Sequence, residues 1–115
     1  MKKFTKTNIE DIPLEEAHGG SGHRKVLVKP EHLTTEHFEA MTKGWLNPGS
    51  SYDWHEHSGV DEIFIVLQGQ GKFYWEEEVV DYTIGDIVTT PASTRHKITA
   101  EGDTPSEFYF VRVKA

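Results

Sequence analysis

His55 and His57 are separated by a single residue, Glu62 follows in the same stretch, and His96 comes later in the chain. Three imidazoles and a carboxylate make a donor set for one divalent transition metal. Imidazole nitrogen suits zinc, iron and nickel, and carboxylate oxygen suits harder ions such as manganese, so Fe, Mn, Ni and Zn all stay open. On an octahedral ion four protein ligands leave two positions at which water, substrate or dioxygen can bind. His18, His23, His32 and His37 lie in no comparable setting and read as surface or hydrogen-bonded residues.

Such a centre needs elements that bring its ligands together. The spacings are Gly49-x5-His55-x-His57-x4-Glu62-x6-Gly69 and Gly85-x5-Pro91-x-Ser93-x2-His96. Glycine and proline at such intervals are what tight turns between β-strands use. Residues two apart on a strand share a face, so His55 and His57 point together, with Trp54 and Glu56 opposite. Glu62 has the wrong parity for one continuous strand. A chain reversal at Ser58-Gly59 restarts the parity and places Glu62 on a neighbouring strand, across from the histidines. His96 must arrive from a distant strand.

The remaining chain reads as short strands with frequent turns, the pattern of an all-β sandwich or barrel. Strands are expected over 25–29, from about 38 to 46, and over 51–57, 61–68, 72–75, 79–82, 87–90, 95–100 and 107–114. Residues 31–37 read as loop, with a short helix after Pro30 as the alternative. Residues 1–24 read as an extended N-terminal arm, and 25–115 as the β domain. The run His18-Gly19-Gly20-Ser21-Gly22-His23 resembles a phosphate cradle in composition, but without a preceding strand and a following helix it reads as a solvated linker.

Composition narrows the function. At 115 residues the chain is one domain. Its net charge is −7, and Lys2-Lys3 with Lys6 is the longest basic run, so nucleic acid and anionic membranes are poor partners. The absence of cysteine excludes disulfides, thiolate sites and a cysteine nucleophile, and fits a reducing compartment. No apolar stretch has the length of a membrane span, and Phe4 to Asn8 is no signal-peptide core, so a cytoplasmic protein is the expectation.

The two spaced motifs resemble those of the cupin superfamily. Gly49, His55, His57, Glu62 and Gly69 match the first motif in full. Gly85, Pro91 and His96 match the second, with Ser93 in place of a glycine and Ala100 in place of an asparagine; neither position is a ligand in that pattern. The resemblance covers roughly residues 38 to 113. It implies a small antiparallel jelly-roll β-barrel with a single motif pair, a monocupin, holding its metal on His55, His57, Glu62 and His96 at one end. The superfamily hosts many reactions, so the resemblance is weak on chemistry.

Aromatic residues crowd the motifs, and most read as core. They favour an apolar cavity for a small organic ligand. Tyr52, Asp53, Arg95 and Tyr109 are the candidate acids or bases, and by alternation Arg95 points away from His96. With no convincing protein base, the leading reading is a metal-dependent, oxygenase-like enzyme on a small organic molecule. The alternatives are a non-catalytic small-ligand or metal-binding module and a sugar isomerase or epimerase. On the strand over 61–68, Ile63, Ile65 and Leu67 lie opposite Glu62, Phe64 and Val66. Both faces are apolar, so the outer one calls for a cover, and a homodimer is expected.

Overall fold

A computed structural model describes residues 3–17 and 22–115. His18 to Ser21, most of the run read as a linker, lie outside the described residues. The chain forms ten strands among the described residues: β1 Glu15–Ala17, β2 Gly22–Val28, β3 Phe38–Leu46, β4 Ser51–His55, β5 Val60–Gln68, β6 Gln70–Trp75, β7 Glu78–Tyr82, β8 Ile87–Thr90, β9 His96–Glu101 and β10 Ser106–Lys114. Short 3-10 turns occupy Ile9–Asp11 and Pro30–His32. The second of these sits where a loop or short helix was expected, with Pro30 at its first position. No helix among the described residues is long and apolar enough to cross a membrane.

Two antiparallel sheets face each other in a jelly roll. One runs β1-β2-β3-β10-β5-β8 and the other β4-β9-β6-β7. They form a sandwich whose edges stay unpaired, not a hydrogen-bonded ring. Part of the stretch read as an arm joins the larger sheet, because β1 pairs with β2 from Glu15 opposite Arg24 to Ala17 opposite Gly22.

Period-two alternation builds the core. On β5, Glu62, Phe64 and Val66 are buried, while Ile63 and Ile65 on the other face are each 37 % exposed. β10 follows the same rule, burying Ser106, Phe108 and Phe110. Phe64 sits at the centre of an aromatic cluster, with ring centroids 5.5 Å from Phe108, 5.6 Å from Phe110 and 5.8 Å from Phe73. Offset or edge-on rings at such separations add to the burial of their area. Gly69 closes the β5–β6 turn at φ +93, and a Cβ there would lie 2.6 Å from the Ser106 Cα, so only glycine lets β10 pass this close.

Phe64 is fully buried. Phe64→Ala should therefore cost about 3–5 kcal/mol in urea unfolding, the usual range for emptying an aromatic core position. A loss below about 1 kcal/mol would show that the cluster does not organise the core.

Candidate metal centre

β4 ends at His55 and β9 begins at His96, and these two residues are paired across the smaller sheet. The sequence placed Glu62 on the strand next to the histidines and His96 on a remote one. The opposite holds. β4 and β5 belong to different sheets, and β9 is the strand bonded to β4. The reason is the turn after His57: Gly59, at φ +70, lets the chain cross the gap between the sheets instead of reversing in plane. Parity cannot separate these outcomes, because either one restarts the alternation.

His57 lies beyond the end of β4 and is held by its backbone, whose carbonyl accepts a 3.0 Å bond from the Ser93 amide. Ser93 adopts φ +63, the left-handed conformation for which the motif it resembles has glycine. The Ala92 amide donates to Asp61 at 2.8 Å. The turn before His96 is thus tied to both segments that carry the other candidate ligands.

The imidazole nitrogens of His55, His57 and His96 lie within 4.8 Å of one another, in a group that could hold a metal ion. Glu62 reaches in from the facing sheet, 3.7 Å from His57 Nε2 and 3.8 Å from His96 Nε2. Nitrogens on one ion would stand about 3–3.5 Å apart, so the set must draw in to close on one ion. His55 Nδ1 donates to the Asp53 carbonyl, and His96 Nδ1 donates to the Thr94 carbonyl at 2.8 Å. Both bonds fix the tautomer that leaves Nε2 as a lone pair toward the cluster. Phe73 stacks on His96 from behind, with centroids 5.8 Å apart and 25° between planes. His96 is fully buried, yet its Nε2 has no hydrogen-bond partner. His23, His32 and His37 do not join the group; His32 Nδ1 instead accepts from the Lys29 amide.

The sequence reading missed Arg112. It is paired across β10 and β5 with Glu62, and its guanidinium lies 3.2 Å from His57 Nδ1, 3.4 Å from Glu39 and 4.0 Å from Glu62. Its signal was available in the alternation of Phe108, Phe110 and Arg112. Arg112, Arg24, Thr42 and Tyr52 join His55, His57 and Glu62 around a cavity of about 70 Å³. Its lining mixes Ala17, Ile98 and Phe110 with the charged Glu62, Arg24 and Arg112, so the apolar, aromatic cavity expected carries more charge than the sequence suggested. An apolar groove of about 370 Å³ lies elsewhere, between Phe73, Trp75 and Val80 on one sheet and Val88 and Pro91 on the other side.

The candidate acids and bases separate. Asp53 is exposed and caps the Trp54 amide, and Arg95 stacks on Trp54 outside the sandwich. Tyr109 faces outward between Lys43 and Ile65. Tyr52 lines the cavity, but its hydroxyl donates to the Trp45 carbonyl at 3.1 Å and burial pushes its pKa well above the usual phenol value.

Burial also pushes Glu62 up from 4.5 to about 7, with Arg112 opposing and Glu39 reinforcing the rise. In metal-free protein the fold therefore holds the Glu62 proton more tightly than the unfolded chain does. Stability from this group is present at low pH and is lost as pH rises from 4.5 to about 7. Buried His96 shifts the other way, its pKa lowered chiefly by desolvation, so its contribution grows as pH rises. Comparing Glu62→Gln with wild type cancels the His96 part. In chelated protein the stability advantage of Glu62→Gln should widen between pH 4.5 and 7.5, reaching at most about 3 kcal/mol. A gap that stays constant by urea titration across that range would mean that Glu62 ionises there without penalty.

A family model described as Cupin domain matches residues 45–112, which span both motifs. A protein of Thermotoga maritima named oxalate-binding protein is 38 % identical over 66 residues, 57 % of this chain and 54 % of that protein. A 5-nitrosalicylic acid 1,2-dioxygenase of a Bradyrhizobium species is 36 % identical over 66 residues, 57 % of this chain and 31 % of that enzyme. The chain thus spans about half or less of the length of these two curated relatives. A solved structure from Thermotoga maritima, described as a predicted oxalate decarboxylase, superimposes with a TM-score of 0.88 at 26 % identity, covering 96 % of this chain and all of the other. With both spaced motifs, the jelly roll and the family match in agreement, the chain belongs to the cupin family.

Proposed function

We propose that His55, His57, His96 and Glu62 hold one divalent transition metal and that the centre acts on a small organic acid. The observation that carries this reading is the orphaned Nε2 of fully buried His96, aimed at two other imidazoles and a carboxylate. A buried polar nitrogen without a partner is costly, and an ion would satisfy it. The donor chemistry fits, since two of the three rings are already set in the ligating tautomer. An ion with open positions would supply Lewis acidity or redox chemistry toward an oxygen-bearing ligand.

The chain's own groups define the rest. Arg112 supplies the cavity with a cation for a carboxylate, while Arg24 is already paired with Glu15 at 2.6 Å, and the volume of about 70 Å³ suits a molecule of a few heavy atoms. Tyr52, with its hydroxyl engaged and its pKa raised, is no base at neutral pH. Phe73 stacks on His96 and Ile98 lines the cavity, giving the centre an apolar side. A site without a protein base favours redox chemistry over epimerisation, and the similarity to part of a dioxygenase supports the same direction. The similarity to part of an oxalate-binding protein supports a second reading, in which the centre holds a small dicarboxylate without turning it over.

Purified protein should take up one divalent ion per chain, and His55→Ala, His57→Ala and His96→Ala should each cut that uptake more than tenfold. Glu62→Gln should keep the fold while weakening both uptake and any dioxygen consumption with iron and small carboxylic acids. Wild-type metal content in all three alanine variants, measured by elemental analysis, would sink the metal reading. Metal-loaded protein that binds a dicarboxylate but consumes no dioxygen would select the binding reading.

We also propose a homodimer through the outer face of the larger sheet. Ile63 and Ile65 there are each 37 % exposed, and Ile87, paired with Ile65, is 64 % exposed. Contiguous apolar exposure across neighbouring strands marks an interface, and β8 is an unpaired edge beside it. Light scattering at micromolar protein should give twice the chain mass, and Ile65→Lys should return it to the monomer. A monomeric wild type would rule this out.

A further inference from the structure

His57 differs from the other two rings in what it meets on its far side. His55 and His96 each face a backbone carbonyl, which can only accept. His57 faces the guanidinium of Arg112 at 3.2 Å, which can only donate. The ring nitrogen toward Arg112 must therefore accept, so in the neutral ring the proton sits on the nitrogen that looks toward Glu62. Ligation demands the reverse, a lone pair toward the ion and the proton on the far nitrogen. Two donors would then oppose each other across the contact, and a second positive charge would stand beside the guanidinium. Arg112 and a ligating His57 are incompatible in this arrangement.

Arg112 has somewhere to go. Its Nε is buried and lacks a hydrogen-bond partner, and its link to Glu62 is a loose 4.0 Å. Glu39, at 3.4 Å, can serve as a tether while the guanidinium moves. The cavity that Arg112 already lines, together with Arg24 and Thr42, adjoins His57 and Glu62. A guanidinium turned into that space would present a planar fork next to the open positions of the centre, matched to a carboxylate.

We propose, resting on the metal-centre reading above, that Arg112 is a metal-released anion clamp: it rests on His57 in the metal-free protein and swings into the cavity on metal loading, where it binds the second carboxylate of a small dicarboxylate whose first carboxylate meets the ion. Metal and dicarboxylate binding are then coupled through one side chain, and the coupling is reciprocal. A monocarboxylate can reach the ion or the guanidinium but cannot bridge them.

Calorimetry with zinc, malonate and acetate tests the clamp. Zinc-loaded wild type should bind malonate at least roughly tenfold more tightly than metal-free protein does, the size of one added charge-assisted contact. Arg112→Met should bind zinc as tightly as wild type or more tightly, because a competitor for His57 is gone. On zinc-loaded Arg112→Met, malonate affinity should fall at least roughly tenfold while acetate affinity falls less. Arg112→Lys, which keeps the charge but loses the fork, should lie between the two. Unchanged malonate affinity in Arg112→Met overturns the clamp and leaves the metal centre standing. Zinc affinity that falls in Arg112→Met also overturns it, since Arg112 would then be a prop for His57. A wild type that takes up no zinc removes the metal centre itself, and the clamp with it.

Discussion

Ionisable side chains from two different sheets meet in the gap where a sandwich would ordinarily place apolar ones. His55 and His96 come from the smaller sheet, Glu62 and Arg112 from the larger, and His57 from the crossing between them. Everything around them serves to make that meeting tolerable. Backbone carbonyls take the far protons of two imidazoles, Arg112 partly offsets the carboxylate, and an aromatic core a few ångströms away supplies the stability that the polar end does not. Burial still raises the pKa of Glu62 and lowers that of His96, so both groups resist their charged forms. A doubly positive ion reverses that preference for Glu62 and gives the imidazole nitrogens a partner.

Much of this was legible in the residues. The glycine and proline spacing pointed to His55, His57, Glu62 and His96 as one group, and three of the four cluster with the fourth alongside. Alternation along β5 separated the buried Glu62, Phe64 and Val66 from the exposed Ile63 and Ile65. What could not be read was which strand bonds to which. A turn at Gly59 looks the same whether it folds the chain back within a sheet or carries it across to the other, because both satisfy local backbone geometry. Glu15–Ala17 was too short to show a period, and it is a strand only because Arg24 and its neighbours offer it an edge. Arg112 was visible by parity, but it lies outside both motifs, and an arginine on an apolar strand face is readily taken for an end effect.

The polarity of individual hydrogen bonds carries more information than the distances among the four candidate ligands. Two rings face acceptors and are ready to ligate. The third faces a donor and is set for the metal-free state. A centre whose ligands were all pre-set would bind its ion and leave the surrounding cavity unchanged. Under the clamp proposed above, one ring held in the opposite sense would make the surroundings answer to the ion.

The 3.0 Å bond from the Ser93 amide to the His57 carbonyl joins the two turns that carry the candidate ligands of the two motifs. Each turn is a poor anchor alone: one hangs off the end of β4, and the other holds a serine in the left-handed region. Latched together, they behave as one mechanical unit. Fraying at the mouth of the sandwich then loosens the backbone on both sides of the latch together, so the two turns open and close as one.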